Sequence, residues 1–172
     1  MKIEFIPLVI SLFPATLITV LAIYFFKLHT SNEDRRRRFL LHRESQKQSF
    51  PLKLQAYERM VLYLERISPG NLLIRTTPVN DDKKGYEFLL TSTIDQEFEH
   101  NLSQQIYLSE ECWNTIKAAK NATIGLIRKV SLKEDIDSVD KMRETILTAI
   151  IEKGTPSDAA ISFIKEEISE FI

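Results

Sequence analysis

The sequence predicts an all-α protein: an N-terminal transmembrane helix followed by a cytoplasmic helical bundle. Three observations carry this. Residues 5–26 form an apolar run without a charge. Four consecutive arginines, Arg35 to Arg38, follow it. From Leu52 onward, apolar residues recur at steps of three and four, with almost no period-two alternation. The predicted domains are an anchor over 1–29, a basic juxtamembrane stem over 30–50 and a cytoplasmic helical domain over 51–172.

Composition narrows the class. The chain has 172 residues, 27% charged and 44% apolar, with only 4 glycines and 6 prolines. That excludes a turn-rich β fold and a disordered linker protein. The net charge of −1 gives no global basicity pointing to nucleic acid. Charge is uneven along the chain, however: residues 35–53 are strongly basic, and the tail from Glu134 leans acidic. The one cysteine, Cys112, forms no internal disulfide and belongs to no zinc-spaced set. Beside Trp113 on an apolar face it reads as a packing residue.

The apolar run is long enough to span. About 22 helical residues reach roughly 33 Å, against a hydrocarbon core of about 30 Å. Pro7 sits in the first turn, where a missing N–H costs little, and Pro14 is expected to kink the helix. Tyr24 stands where an interface aromatic would. A cleaved signal peptide fits poorly, because the run ends in bulky IYFFKLH without a small-residue cleavage pattern. Only Lys2 precedes the run, whereas Lys27, Arg35, Arg36, Arg37, Arg38 and Arg43 follow it. The positive-inside bias then places the C-terminal bulk in the cytoplasm and the N-terminus outside. These six residues are the candidate site: they set topology and meet anionic headgroups. No nucleic-acid partner is expected, because no stacking aromatics interleave the arginines.

The helices follow in order. Residues 30–49 suggest a juxtamembrane helix capped by Ser31 or Asn32, with a restart at Pro51. Leu54, Tyr57, Val61 and Leu64 give the next helix its stripe. A heptad echo, Tyr57–Met60 against Leu64–Ile67, leaves two readings open: a core helix or a seam for self-association. Ser68-Pro69-Gly70-Asn71 ends that helix, and residues 72–75 are expected to run extended before a solvated loop over 76–85. Leu90, Ile94, Phe98, Leu102 and Ile106 recur every fourth residue, predicting a helix over 86–106. Ser109 caps the next, with Glu110 and Glu111 in its first turn. A charged connection over 132–138 precedes a helix that stops at Gly154. Thr155, Pro156 and Asp158 then form a capping-box-like start for the last.

Motifs for chemistry are sparse. Glu97 and His100 make an E-x-x-H step, but a di-iron bundle needs it on two helices. Lys120 falls inside an apolar stripe, where such a lysine acts catalytically or snorkels. Glu134, Asp135, Asp137 and Asp140 lack the spacing and glycine of an EF-hand. There is no phosphate-binding glycine loop, nucleophile elbow or H-E-x-x-H. No catalytic residue, cofactor or metal is assigned.

The stretches LQAYERMVLYLERISPGNLLIR, EFEHNLSQQIYLSEECW and AAKNATIGLIRK resemble a family of uncharacterised single-span bacterial membrane proteins, of the Bacteroidota type. The resemblance covers nearly the whole chain and implies anchoring in a bacterial inner membrane. The family carries no assigned activity, so no catalytic residues transfer.

Three functions remain. One is a membrane-anchored interaction module that binds the bilayer and either a protein partner or itself. The second is an enzyme or small-molecule site of unfamiliar type around Lys120, Glu97 and His100. The third is an anionic-lipid or nucleic-acid binder acting through Arg35–Arg38.

Overall fold

A computed structural model of the chain describes residues 5–170. The side chains of residues 5–13, 15, 31–32, 34–35, 38, 41–43 and 45–48 lie outside the described residues. Every regular element is helical: α1 (Phe5–Ile67), α2 (Pro69–Arg75), α3 (Lys83–Glu99), α4 (Glu110–Ser131), α5 (Val139–Lys153) and α6 (Pro156–Ser169), with a 3-10 segment over Leu102–Tyr107. The all-α expectation holds for them. The chain divides into two units, Met1–Ser49 and Phe50–Ile172.

The described part of the first unit, residues 5–49, is the leading stretch of α1. Its described large apolar side chains are exposed, from Leu28 at 45% to Phe26 at 73%. Among the described residues, no helix is long and apolar enough to cross a membrane. The spanning helix expected over 5–26 is therefore without support in the structure. The fully described stretch, 16–26, supplies only about 16 Å of helix, roughly half a hydrocarbon core.

The expected break between anchor and stem is absent. α1 continues through Ser31, Asn32 and Pro51. Thr30 shows why polar residues here do not cap: its Oγ1 donates to Phe26 O at 2.9 Å, back along the same helix. Pro51 removes only one ladder bond, and the surrounding Arg, Glu and Gln are good helix formers.

The second unit holds the core. α4 packs against α3, α5 and α6, and α2 packs on α5. Met60, Leu64 and Ile67 of α1 are fully buried, as are Leu90 and Ile94 of α3 and Ile116 of α4. Met142 and Ile146 of α5 and Ile164 of α6 complete the interior. The heptad echo is thus core: Tyr57, Met60, Leu64 and Ile67 are at most 1% exposed, leaving no seam there for a second copy. Tyr57 also reaches α6, donating its hydroxyl to Glu167 Oε1 at 2.7 Å.

Local chemistry starts and stops the helices. Ser109 Oγ accepts from Cys112 N at 3.0 Å, opening α4. Thr155 and Asp158 form the reciprocal capping box of α6. Gly154 closes α5 at φ 75°, a left-handed conformation that favours glycine.

Two expectations fail in detail. Residues 72–75 are helical, not extended, because Pro69 starts α2 at its first turn. α3 ends at Glu99, not Ile106. The side-chain amide of Asn101 turns back to donate to Glu97 O at 2.8 Å, and the next repeats of the stripe, Leu102 and Ile106, are 40% and 74% exposed.

Two loops are clasped together. Asp81 Oδ1 accepts from Val139 N at 2.7 Å, and Lys83 Nζ donates to Ile136 O at 2.8 Å and Lys133 O at 3.2 Å. The solvated loop over 76–82 is thereby fixed to the 132–138 connection.

Candidate functional site

The candidate residues of the first unit divide by what is described. Lys27, Arg36 and Arg37 are exposed. The side chains of Arg35, Arg38 and Arg43 lie outside the described residues. The exposed cations follow apolar side chains that are also exposed: Ile23 at 54%, Tyr24 at 61% and Phe25 at 63%. Such a segment presents an uncovered apolar surface ending in positive charge.

In the bundle, the residues considered for catalysis have other roles. Glu97 accepts from Arg66 Nε at 3.0 Å and from Arg75 Nη1 at 3.3 Å, tying α3 to α1 and α2. The Arg66 guanidinium, aided by Arg75, holds the Glu97 carboxyl below the usual glutamate range, although partial burial works the other way. Lys120 snorkels: its Nζ pairs with Asp95 Oδ1 at 2.7 Å and lies 4.5 Å from the Phe98 ring centroid. Phe98 stacks on Trp113 at 5.1 Å between centroids and tilts against Tyr63 at 5.7 Å. His100 is exposed at the end of α3. None of the three lines any of the four described clefts. The Glu97 carboxylate, through Oε1, and the Lys120 ammonium are each engaged by structural partners. Among the described residues, no group of three or more His, Cys, Asp or Glu side chains is placed to hold a metal ion.

Cys112 is fully buried, as its sequence setting predicts. Burial, reinforced by the nearby Glu167 carboxylate, pushes its thiol up to about 12, away from the thiolate that reactive cysteines need. Another polar cluster is structural too. Tyr86 donates to Thr76 O at 2.8 Å and accepts from Arg143 Nη1 at 2.7 Å, and Arg143 also donates to Leu73 O at 3.1 Å. One guanidinium thus joins α5 to the end of α2 and the start of α3.

The bundle also carries a groove that no sequence motif announced. A groove of about 670 Å³ runs between α4 and α5, with the start of α6 at one end. Lys129 and Lys133 stand on one wall, and Lys141 and Lys153 on the other. Spacing alone does not mark it: Lys133, four residues after Lys129, lies past the end of α4, and Lys141 and Lys153, twelve apart, fall about 120° from each other around a helix.

No curated protein and no solved structure shows a match to the chain. Residues 3–171 do match a family model, described as "Family of unknown function (DUF7935)". The expected likeness to an uncharacterised family is borne out over nearly the whole length, and the chain belongs to this family of unknown function.

Proposed function

We propose that the chain is a membrane-tethered helical interaction module. Residues 5–26 anchor it, the segment holding Lys27, Arg35–Arg38 and Arg43 lies at the anionic headgroups, and the helical domain engages a protein partner or a second copy. The observation that carries this reading is the uncovered apolar surface of the first unit. Leu17, Ile18, Val20, Leu21, Ile23 and Phe25 are all about half exposed or more. With Phe26, also exposed, they are spread around the whole helix at about 100° per residue. A helix that is apolar all round belongs inside a core or a bilayer. The sequence supplies the remaining length, since the charge-free run begins at Phe5. Basic residues cluster only after the run, which favours a bacterial inner membrane with the helical domain in the cytoplasm.

The test is alkaline carbonate extraction of membranes carrying the full chain or a version lacking residues 1–29. The full chain should stay in the pellet and the shortened one should be released. Crosslinking in the same membranes then addresses the partner. Release of the full chain by carbonate would refute the anchor. A crosslinked pattern identical with and without residues 1–29 would show that tethering plays no part in partner choice.

A further inference from the structure

The groove between α4 and α5 has no role in the anchoring or in the tether. We propose that it binds a small amphiphilic anion: a phosphate-class headgroup carried on an apolar body. Its volume, about 670 Å³, falls within the roughly 300–1,000 Å³ of small-ligand sites. Leu126, Lys129, Val130 and Lys133 advance along one wall. Lys141, Thr145, Thr148 and Glu152 advance along the other at steps of four, three and four, a single helical face.

The polar chemistry of the lining is charge. The Thr145 hydroxyl donates to Lys141 O at 2.7 Å and that of Thr148 to Glu144 O at 2.9 Å, so both donors are engaged within α5. Four lysines face two glutamates, leaving two positive charges in excess. Among the described residues, none of these four ammonium groups stands within ion-pair distance of a carboxylate.

Helix-end electrostatics account for only part of this. Lys129 and Lys153 lie in the last turns of α4 and α5, where cations are favoured. Lys141 is in the first turn of α5, where a cation opposes the dipole, and Lys133 lies beyond α4 altogether. A bound anion offsets that opposition and satisfies the other lysines together.

The rest of the lining sets the ligand class. Lysine recognises phosphate as a point charge, and no arginine fork is present for planar bidentate pairing. No aromatic side chain lines the groove, so a nucleobase has nothing to stack on. Leu126, Val130, Ala149 and Pro156 provide a modest apolar floor. It suits a short alkyl body better than a partner helix, which needs large apolar anchors. The headgroup can come from a membrane phospholipid or from a soluble phosphate ester.

The experiment uses the full chain in nonionic detergent, its lysines carbon-13 dimethylated and followed by NMR. Hexyl phosphate, inorganic phosphate and hexanol are the probes. Hexyl phosphate should shift Lys129, Lys133, Lys141 and Lys153 together and saturably. It should bind about tenfold more tightly than inorganic phosphate, the equivalent of burying about two methylenes. Hexanol should leave the four unmoved. Lys141→Gln should weaken hexyl phosphate about fivefold or more, as expected for one lost charge-assisted contact, with an unchanged or raised urea midpoint. Displacement by phosphatidylglycerol, but not phosphatidylcholine, added as mixed micelles in the same detergent would assign the lipid source; no displacement would assign a soluble ester. Unsaturable shifts at every lysine, or equal affinity for the two phosphates, would overturn the proposal. So would saturable binding of an amphipathic helical peptide without any response to hexyl phosphate.

Discussion

Two buried tyrosines provide a matched test of what holds the bundle together. The Tyr86 hydroxyl donates to Thr76 O and accepts from Arg143, both within 2.8 Å. The Tyr63 hydroxyl is buried with no hydrogen-bond partner among the described residues. Tyr→Phe removes one oxygen at each site and leaves the ring packing intact. At Tyr86 the loss strands the Thr76 carbonyl and breaks a bond to a charged donor. A stranded buried group costs about 1–3 kcal/mol and a bond to a charged group contributes about 1.5–3 kcal/mol. Arg143 keeps Leu73 O as an acceptor at 3.1 Å, so the loss stays near the low end of the combined range: about 2–3 kcal/mol. With a urea slope near about 1.5 kcal/mol/M, the midpoint should fall by about 1.5–2 M. At Tyr63 the deleted hydroxyl was unpaired, and burying an unpaired hydroxyl costs about 1–3 kcal/mol. Tyr63→Phe should leave the midpoint unchanged or raise it. Trp113, the chain's one tryptophan, stacks on Phe98 and reports both transitions by fluorescence. Equal losses in the two variants would refute the hydrogen-bond reasoning and show that ring packing outweighs the hydroxyl contacts.

The remaining predictions use the same assay. Glu97→Gln should cost about 1 kcal/mol near neutral pH, because Arg66 and Arg75 are 44% and 34% exposed and solvent screens the pairs. The folded-state pKa of Glu97 is lowered, so its contribution is complete above the unfolded value of about 4.3 and is lost as pH falls through the folded value. Urea midpoints of wild type and variant should therefore converge on acidification below about pH 4; a constant gap would contradict the assignment. Lys120→Met keeps the stem over Phe98 and should lose no more than about 1 kcal/mol, whereas Lys120→Ala should lose about 1 kcal/mol more, since it also uncovers the ring. Gly154→Ala meets no neighbouring atom within 4 Å, so its cost is backbone strain alone, about 1–2 kcal/mol, readable as a lower midpoint.

Legibility in the sequence followed the range of the interaction. Ser109, Gly154 and the Thr155–Asp158 box act within four residues of themselves, and each lies where its local pattern placed it. The stripes of α4 and α6 were legible for the same reason. Residues such as Asn32 and Pro51 were misleading because a cap and a tolerated interior position have the same composition. The every-fourth repeat continued past the end of α3, because periodicity does not register where a side chain turns back to cap a carbonyl. Long-range polar pairs left no sequence signal. Nothing local to Lys120 names Asp95, and nothing local to Glu97 names Arg66. The apolar run and its arginines were conspicuous as composition, whereas the lysine groove emerged only once two helices lay side by side.

The clasp between Asp81 and Val139 has a consequence for the order in which parts of the bundle open. The Val139 amide, at the start of α5, donates to a carboxylate 58 positions earlier. The N-terminal turn of α5 and the loop over 76–82 therefore form one cooperative unit: neither is complete until the other has docked. Because Lys83 adds bonds to two carbonyls of the 132–138 connection, that unit includes both loops. Amide exchange at Val139 should track the opening of a distant surface segment, not the fraying of its own helix. A nick in 76–82 would release the end of α5, which carries Lys141 into the groove.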